Sequence, residues 1–293
     1  MTAAIKVTIR FIQDLTVDFR CYWQKLFHAY TPTTPKPALV KSLTVARDLQ
    51  RRRARERTSL FTAEGVRCVE ELLASPLRIR SALVAPGLRE TDRGGALEAA
   101  LRSAAASHGF DVDETTDAEL AAASGTDTPQ GIIVIVEQPE RSFENIARPH
   151  LILLLDGIQD PGNVGTILRT AQAFGVSATI ALPGTVDLFN PKVVRAAMGA
   201  LFSHVAFHAT VSGTLEFLRD RAIPIWATSV GGEPVHAPGG DSDIAIVVGN
   251  EGSGVSSQLA DAASRTVAIP IRAVESLNVA VATGILLYAV TRV

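Results

Sequence analysis

The chain has 293 residues, 47% of them hydrophobic and 20% charged, with a formal net charge of −2. That is enough for two domains with substantial cores, and it excludes a disordered polyelectrolyte and a small disulfide-stapled module. No apolar run approaches a membrane-spanning length, and residues 1–30 lack the apolar core and small-residue cleavage site of a signal peptide.

Cys21 and Cys68 are the only cysteines and have no partner motif. Neither a disulfide framework nor a cysteine zinc site is expected, no other metal-ligand cluster stands out, and a reducing cytoplasm fits this usage.

In chain order, residues 1–37 read as an extension and linker of unknown role. I-K-V-T-I-R-F-I could form a strand or an amphipathic segment, and Trp23, Phe27 and Tyr30 could dock on the body. T-P-T-T-P-K-P is a proline-punctuated connection. Residues 38–136 read as a small α/β module. It opens with one basic helix over 39–57, where Lys41, Arg47, Arg51, Arg52, Arg53, Arg55 and Arg57 face only Asp48 and Glu56. Such a patch suits a polyanion, although a solvated helix face has the same composition. A strand and a helix follow in L-F-T-A-E-G-V-R-C-V-E-E-L-L, with Val66, Val69, Leu72 and Leu73 on one side. Further strands are expected in I-R-S-A-L-V, F-D-V-D-E-T and Q-G-I-I-V-I-V-E, and helices ending at Gly109 and over D-A-E-L-A-A-A-S. The polar stretch 137–149 reads as the linker to the second domain.

Residues 150–293 alternate strand and helix throughout. Strands are expected near 150–155, 177–182, 204–207, 224–229, 244–249 and 266–271, and helices near 163–174, 191–200, 211–221, 256–263 and 278–291. Apolar strands with short connections predict a mostly parallel sheet covered on both faces. The last helix, N-V-A-V-A-T-G-I-L-L-Y-A-V, is apolar nearly all round and belongs in a core or a subunit interface.

Three strand ends carry polar or glycine-rich loops. L-I-L-L-L-D-G-I-Q-D-P-G-N-V-G-T-I-L-R runs from a buried strand through a turn into a helix, with Asn163 as a candidate N-cap and Arg169 off the apolar stripe. I-A-I-V-V-G-N-E-G-S-G carries Glu251 among Gly249, Gly252 and Gly254. V-A-I-P-I-R-A-V-E-S-L-N-V-A-V-A carries Ser276 and Asn278 at the start of the last helix, where either could be a cap. Each has an ordinary reading as a solvated arginine, a tight loop or a cap. All three, however, lie where open α/β sheets place ligands.

In order and spacing these segments resemble the three motifs of the SpoU (TrmH-like) RNA ribose methyltransferases of the SPOUT superfamily. More weakly, K-S-L, F-T-A-E-G-V-R and T-P-Q-G-I resemble their N-terminal RNA-binding domain, which is similar to ribosomal protein L30e. Residues 1–30 lie outside the resemblance. It implies a C-terminal domain threaded into a deep trefoil knot, a homodimer, and S-adenosylmethionine as methyl donor to a ribose 2′-hydroxyl. It assigns catalytic polar roles to Asn163, Arg169, Glu251, Ser276 and Asn278, with Glu251 equally able to be structural. It assigns cofactor contact to Gly249, Asn250, Gly252, Ile269, Ile271 and Leu277, and RNA contact to Lys41, Arg47, Arg51, Arg52, Arg53 and Arg55. Residues 271–275 are one residue shorter than in many relatives and lack their glycine, which bears on the cofactor contact there. Ribosomal RNA is the expected substrate. Transfer RNA and a non-catalytic RNA-binding protein on the same fold are the alternatives.

Overall fold

The computed structural model describes residues 37–237 and 243–291. Packing separates Met1–Pro37 from Ala38–Val293, and every contact below lies within the second unit. The segments I-K-V-T-I-R-F-I and T-P-T-T-P-K, with Trp23, Phe27 and Tyr30, lie outside the described residues.

The arginine-rich stretch is two helices rather than one, α1 (Pro37–Asp48) and α2 (Arg52–Thr58). At the break Arg51 is extended, and Arg55 Nη1 donates to the Leu49 carbonyl at 2.7 Å, capping a carbonyl that no helical amide takes. Strand β1 (Leu60–Glu64), helix α3 (Val66–Leu73) and strand β2 (Ile79–Val84) come next. Helix α4 (Asp92–His108), strand β3 (Asp111–Glu114), helix α5 (Asp117–Ala123) and strand β4 (Ile132–Glu137) complete this part. Thr91 caps the start of α4, and Gly109, left-handed at φ 74°, ends it. The sheet order is β1-β4-β2-β3, so the last strand inserts antiparallel between the first two. The stretch before the second sheet is packed. Phe143 stacks on Phe217 with centroids 4.7 Å apart, Ile146 is buried, and Arg141 donates to the Leu201 and Phe202 carbonyls.

The second sheet comprises β5 (Leu151–Asp156), β6 (Ala178–Ala181), β7 (Ala206–His208), β8 (Ile225–Pro234), β9 (Ile244–Gly249) and β10 (Arg265–Ala268). Its order is β10-β8-β9-β5-β6-β7 and every pairing is parallel. The connecting helices are α6 (Pro161–Ala173), α7 (Pro191–Ala197), α8 (Ala200–Ser203), α9 (Val211–Asp220), α10 (Ser257–Ala262) and α11 (Val279–Thr291). Burial on both faces explains the continuous apolar strands. Leu151, Leu153 and Leu155 enter one core, and Ile152 and Leu154 the other.

The first of these cores continues without a break into the N-terminal sheet through Phe61 and Ala63, and onto α3 through Val69. Phe61 meets Phe189 at 4.9 Å between centroids. Helix α6 lies so close to α7 that a Cβ on Gly165 would sit 2.4 Å from Ala196 Cβ. Only glycine allows that approach.

Candidate active site

Strands β5 and β9, and the chain leaving β10, deliver their loops to the same edge of the sheet. The turn after β5 passes Gly157 (φ 72°) and reaches α6. The N-cap of that helix is Asp160, whose carboxylate accepts from Asn163 N at 2.8 Å, and Pro161 fills the first helical position. Asn163 is therefore not the cap that its sequence position suggested. It sits one turn in, and its side chain is left for other partners.

Those partners come from the other two segments. Asn163 Nδ2 donates to Glu251 Oε1 at 2.7 Å, and Asn278 Nδ2 donates to Asn163 Oδ1 at 3.0 Å. Asn278 Oδ1 accepts from Ala280 N at 3.0 Å and Val281 N at 3.3 Å, so Asn278 caps α11 as well. Each amide orientation follows from its neighbour. An ionised carboxylate only accepts, so Asn163 must offer it the NH2 group and keep its oxygen for Asn278.

Asn250 builds the glycine-rich loop. Asn250 N and Gly254 N each bond the other residue's carbonyl, at 3.1 and 2.8 Å, and Asn250 Oδ1 accepts from Gly252 N and Ser253 N. A Cβ on Gly249 would lie 2.2 Å from the Gly254 carbonyl carbon, so the loop closes only over glycine. Asp156 Oδ2 accepts from Ser256 N at 2.7 Å and ties the far end of the loop to β5. In the loop after β10, Ala273 takes φ 65°, a left-handed conformation that costs an alanine about 1 kcal/mol.

Behind this edge is a cavity of about 590 Å³. Gly249, Asn250, Glu251, Gly252, Ile269, Ile271, Ser276 and Leu277 all line it, so eight positions expected from sequence share one cavity. Apolar walls from Val248, Val267 and Leu286 with a few hydroxyl and backbone groups suit a nucleoside-sized ligand. Sequence reasoning missed Thr228, Ser229 and Val230, which also line the cavity. They bow out of the β8–β10 ladder where Thr266 pairs with Ala227 but Val267 pairs with Glu233. Their signal was available, because A-T-S closes the strand expected over 224–229, whose C-terminal end lies on this edge.

Arg169 is exposed and makes no hydrogen bond or ion pair among the described residues. The structure does not join it to the Asn163–Glu251–Asn278 group. It lies six residues further along α6, about 9 Å of helical rise from Asn163. Ser276 is exposed at the cavity and also makes no hydrogen bond there among the described residues. No group of three or more His, Cys, Asp or Glu side chains placed to hold a metal occurs among the described residues.

On the arginine-rich helices Lys41, Arg47, Arg51, Arg52 and Arg53 are exposed, and Arg52 pairs with Glu56 at 2.7 Å. Arg55 is a correction. It is 2% exposed and pairs with Asp187 at 2.7 Å, so its charge is spent inside the fold and cannot reach RNA.

Residues 150–288 match the model of the SpoU rRNA Methylase family, and residues 40–134 match the MRM3-like substrate binding domain. The chain is 34% identical over 242 residues to the 23S rRNA (guanosine(2553)-2′-O)-methyltransferase RlmP of Bacillus subtilis, covering 82% of this chain and 92% of that protein. The AdoMet-bound rRNA methyltransferase from Sinorhizobium meliloti superposes with a TM-score of 0.75 at 28% identity, over 90% of this chain and 97% of that one. The SpoU methyltransferase AviRb from Streptomyces viridochromogenes, in complex with AdoMet, gives 0.74 at 25% identity over 86% and 97%.

Proposed function

Because the chain belongs to the SpoU rRNA methylase family, we propose that it methylates a ribose 2′-hydroxyl of ribosomal RNA with S-adenosylmethionine as donor. The observation that carries this reading is the meeting of Asn163 and Asn278 with Glu251, which itself lines the cavity formed by the Gly249 loop and the 269–277 segment. A guanosine of the large-subunit RNA is the first substrate to test, after the relatives' names.

The cavity fits the donor. Its glycine-closed loop supplies backbone groups, and Val248, Ile269, Ile271 and Leu277 supply apolar surface for an adenine ring. Bound S-adenosylmethionine supplies a methyl group already activated on a sulfonium. The chain's own residues align the acceptor and ease loss of its proton. A guanidinium remains protonated at working pH and is no base. Arg169 therefore holds the adjacent phosphate and stabilises the developing alkoxide, while the proton passes to water or a phosphate oxygen. Asn163 and Ser276 orient the ribose. Glu251 holds Asn163, which keeps the Asn163 amide turned for that task.

Lys41, Arg47, Arg51, Arg52 and Arg53 would hold RNA phosphates through the L30e-like N-terminal module, giving binding that weakens with salt. The knotted threading is supported by the strand order and by the return of α11 against α6, where a Cβ on Gly284 would lie 3.7 Å from Thr170 Cγ2. A homodimer is supported by Val281, Ile285 and Tyr288, exposed at helical spacing on α11. The enzyme would act in the cytoplasm on RNA during ribosome production. Incubation with labelled S-adenosylmethionine and separated, unmodified ribosomal and transfer RNAs tests the substrate. Label confined to transfer RNA would overturn it.

A further inference from the structure

A path of hydrogen bonds, continued through two residues of backbone, joins the arginine-rich helix to the glycine-rich loop. It starts at Arg55, whose Nε and Nη2 each lie 2.7 Å from Asp187 Oδ2. Asp187 belongs to the 182–190 loop after β6, and its Oδ1 accepts from Phe189 N at 2.9 Å. Two residues earlier, the buried Thr185 hydroxyl donates to the Leu155 carbonyl at 2.8 Å and accepts from Gly157 N at 3.1 Å. Val186 N donates to the Ile158 carbonyl at 2.9 Å. The 182–190 loop is thus stitched along the turn that follows β5.

That turn in turn holds the glycine-rich loop. The Gly157 carbonyl accepts from Asn250 Nδ2 at 2.9 Å, and Asn250 Oδ1 takes the amides of Gly252 and Ser253. The two turns also touch directly, since a Cβ on Gly184 would lie 3.3 Å from Gly157 Cα. Neither Arg55, Asp187 nor Thr185 lines the cavity. The helix that buries Arg55 carries Arg52 and Arg53 on its exposed side, so one short helix presents both an anion-attracting surface and the anchor of this path.

We propose that Thr185 is a positioning residue for the glycine-rich loop, and that the Arg55–Asp187 pair anchors it in the N-terminal module, so that the seating of that module sets the affinity for S-adenosylmethionine. This rests on the reading of the cavity as the S-adenosylmethionine site. By linkage, RNA that steadies the helix raises that affinity by the same factor by which the cofactor raises RNA affinity.

The test is the Kd of S-adenosylmethionine by titration calorimetry, with kcat and both KM values from methyl transfer. Thr185→Val keeps the side-chain shape and deletes both hydroxyl bonds, whereas Thr185→Ser keeps the hydroxyl. Thr185→Val is expected to raise Kd and KM for S-adenosylmethionine roughly tenfold while kcat and the KM for RNA stay near wild type, and Thr185→Ser to restore binding. Asp187→Asn shifts the same constants in the same direction by roughly threefold, and the double variant is no weaker than Thr185→Val, as one shared path requires. If Thr185→Val does not fold, the Asp187→Asn shift decides alone. A loss of kcat with KM for S-adenosylmethionine unchanged overturns the positioning role, and additive effects in the double variant overturn the anchor. Wild-type protein that binds no S-adenosylmethionine defeats the assignment of the cavity itself, an outcome distinct from wild-type binding that Thr185→Val leaves unchanged.

Discussion

Asn163→Ala tests the meeting of the three loops. The substitution deletes one hydrogen bond to a carboxylate, at 2.7 Å, and one between amides, at 3.0 Å. A bond to a charged group contributes about 1.5–3 kcal/mol and a neutral one about 0.5–1.5 kcal/mol. Glu251 and Asn278 are exposed, so water competes for both and the low ends apply. The sum is about 2 kcal/mol, or roughly a 30-fold loss in kcat/KM if the arrangement is needed in the transition state. Label transfer measures kcat/KM, and a thermal melt by circular dichroism checks folding. Glu251→Gln keeps an acceptor for Asn163 Nδ2 and is expected to stay within about threefold, as a structural acid should. If Asn163→Ala is folded and within about threefold of wild type, the contact between the loops is incidental to the chemistry.

Reversing Arg47, Arg51 and Arg53 to Glu should weaken RNA binding at every sequence and flatten the slope of log K against log salt, without altering the Kd of S-adenosylmethionine titrated in the absence of RNA. Replacing Ile285 and Tyr288 with Glu should shift the sedimentation coefficient to that of a monomer, and an unchanged value would remove α11 from the interface. Acid should destabilise the fold through His204. Burial, with Arg141 nearby, lowers its pKa from 6.5 to about 4, so the fold keeps it neutral. Its contribution is complete above pH 6.5 and is lost as pH falls towards 4, by about 2 kcal/mol at pH 5 and about 3 kcal/mol at pH 4. Urea midpoints across that range should fall less steeply in His204→Asn than in wild type.

Most elements of residues 150–291 were legible because a parallel sheet writes itself as apolar runs punctuated by turns. Leu151–Asp156 and Ile244–Gly249 are buried along almost their whole length. The helix boundaries were less so. Asp160 and Asn163 are both good cap residues, and only Pro161 between them, which prefers the first helical turn, favours the earlier one. The break at Leu49–Arg51 had no local signal. It depends on Arg55 turning inward to Asp187, 132 residues away, and the same long-range pair removes Arg55 from the RNA-facing set. The family resemblance grouped Asn163, Arg169, Glu251, Ser276 and Asn278, and of these Asn163 contacts both Glu251 and Asn278. Periodicity could not orient Arg169, since it places a side chain off the apolar stripe without saying what it faces.

A methyl group on a ribose oxygen and one on a base are told apart by alkali. The most direct measurement is alkaline hydrolysis of ribosomal RNA labelled by the purified protein from S-adenosylmethionine. A 2′-O-methyl group blocks attack on the neighbouring phosphodiester, so label is expected in alkali-resistant dinucleotides that digest to a single 2′-O-methyl nucleoside. Label released in ordinary mononucleotides as a methylated base would contradict it.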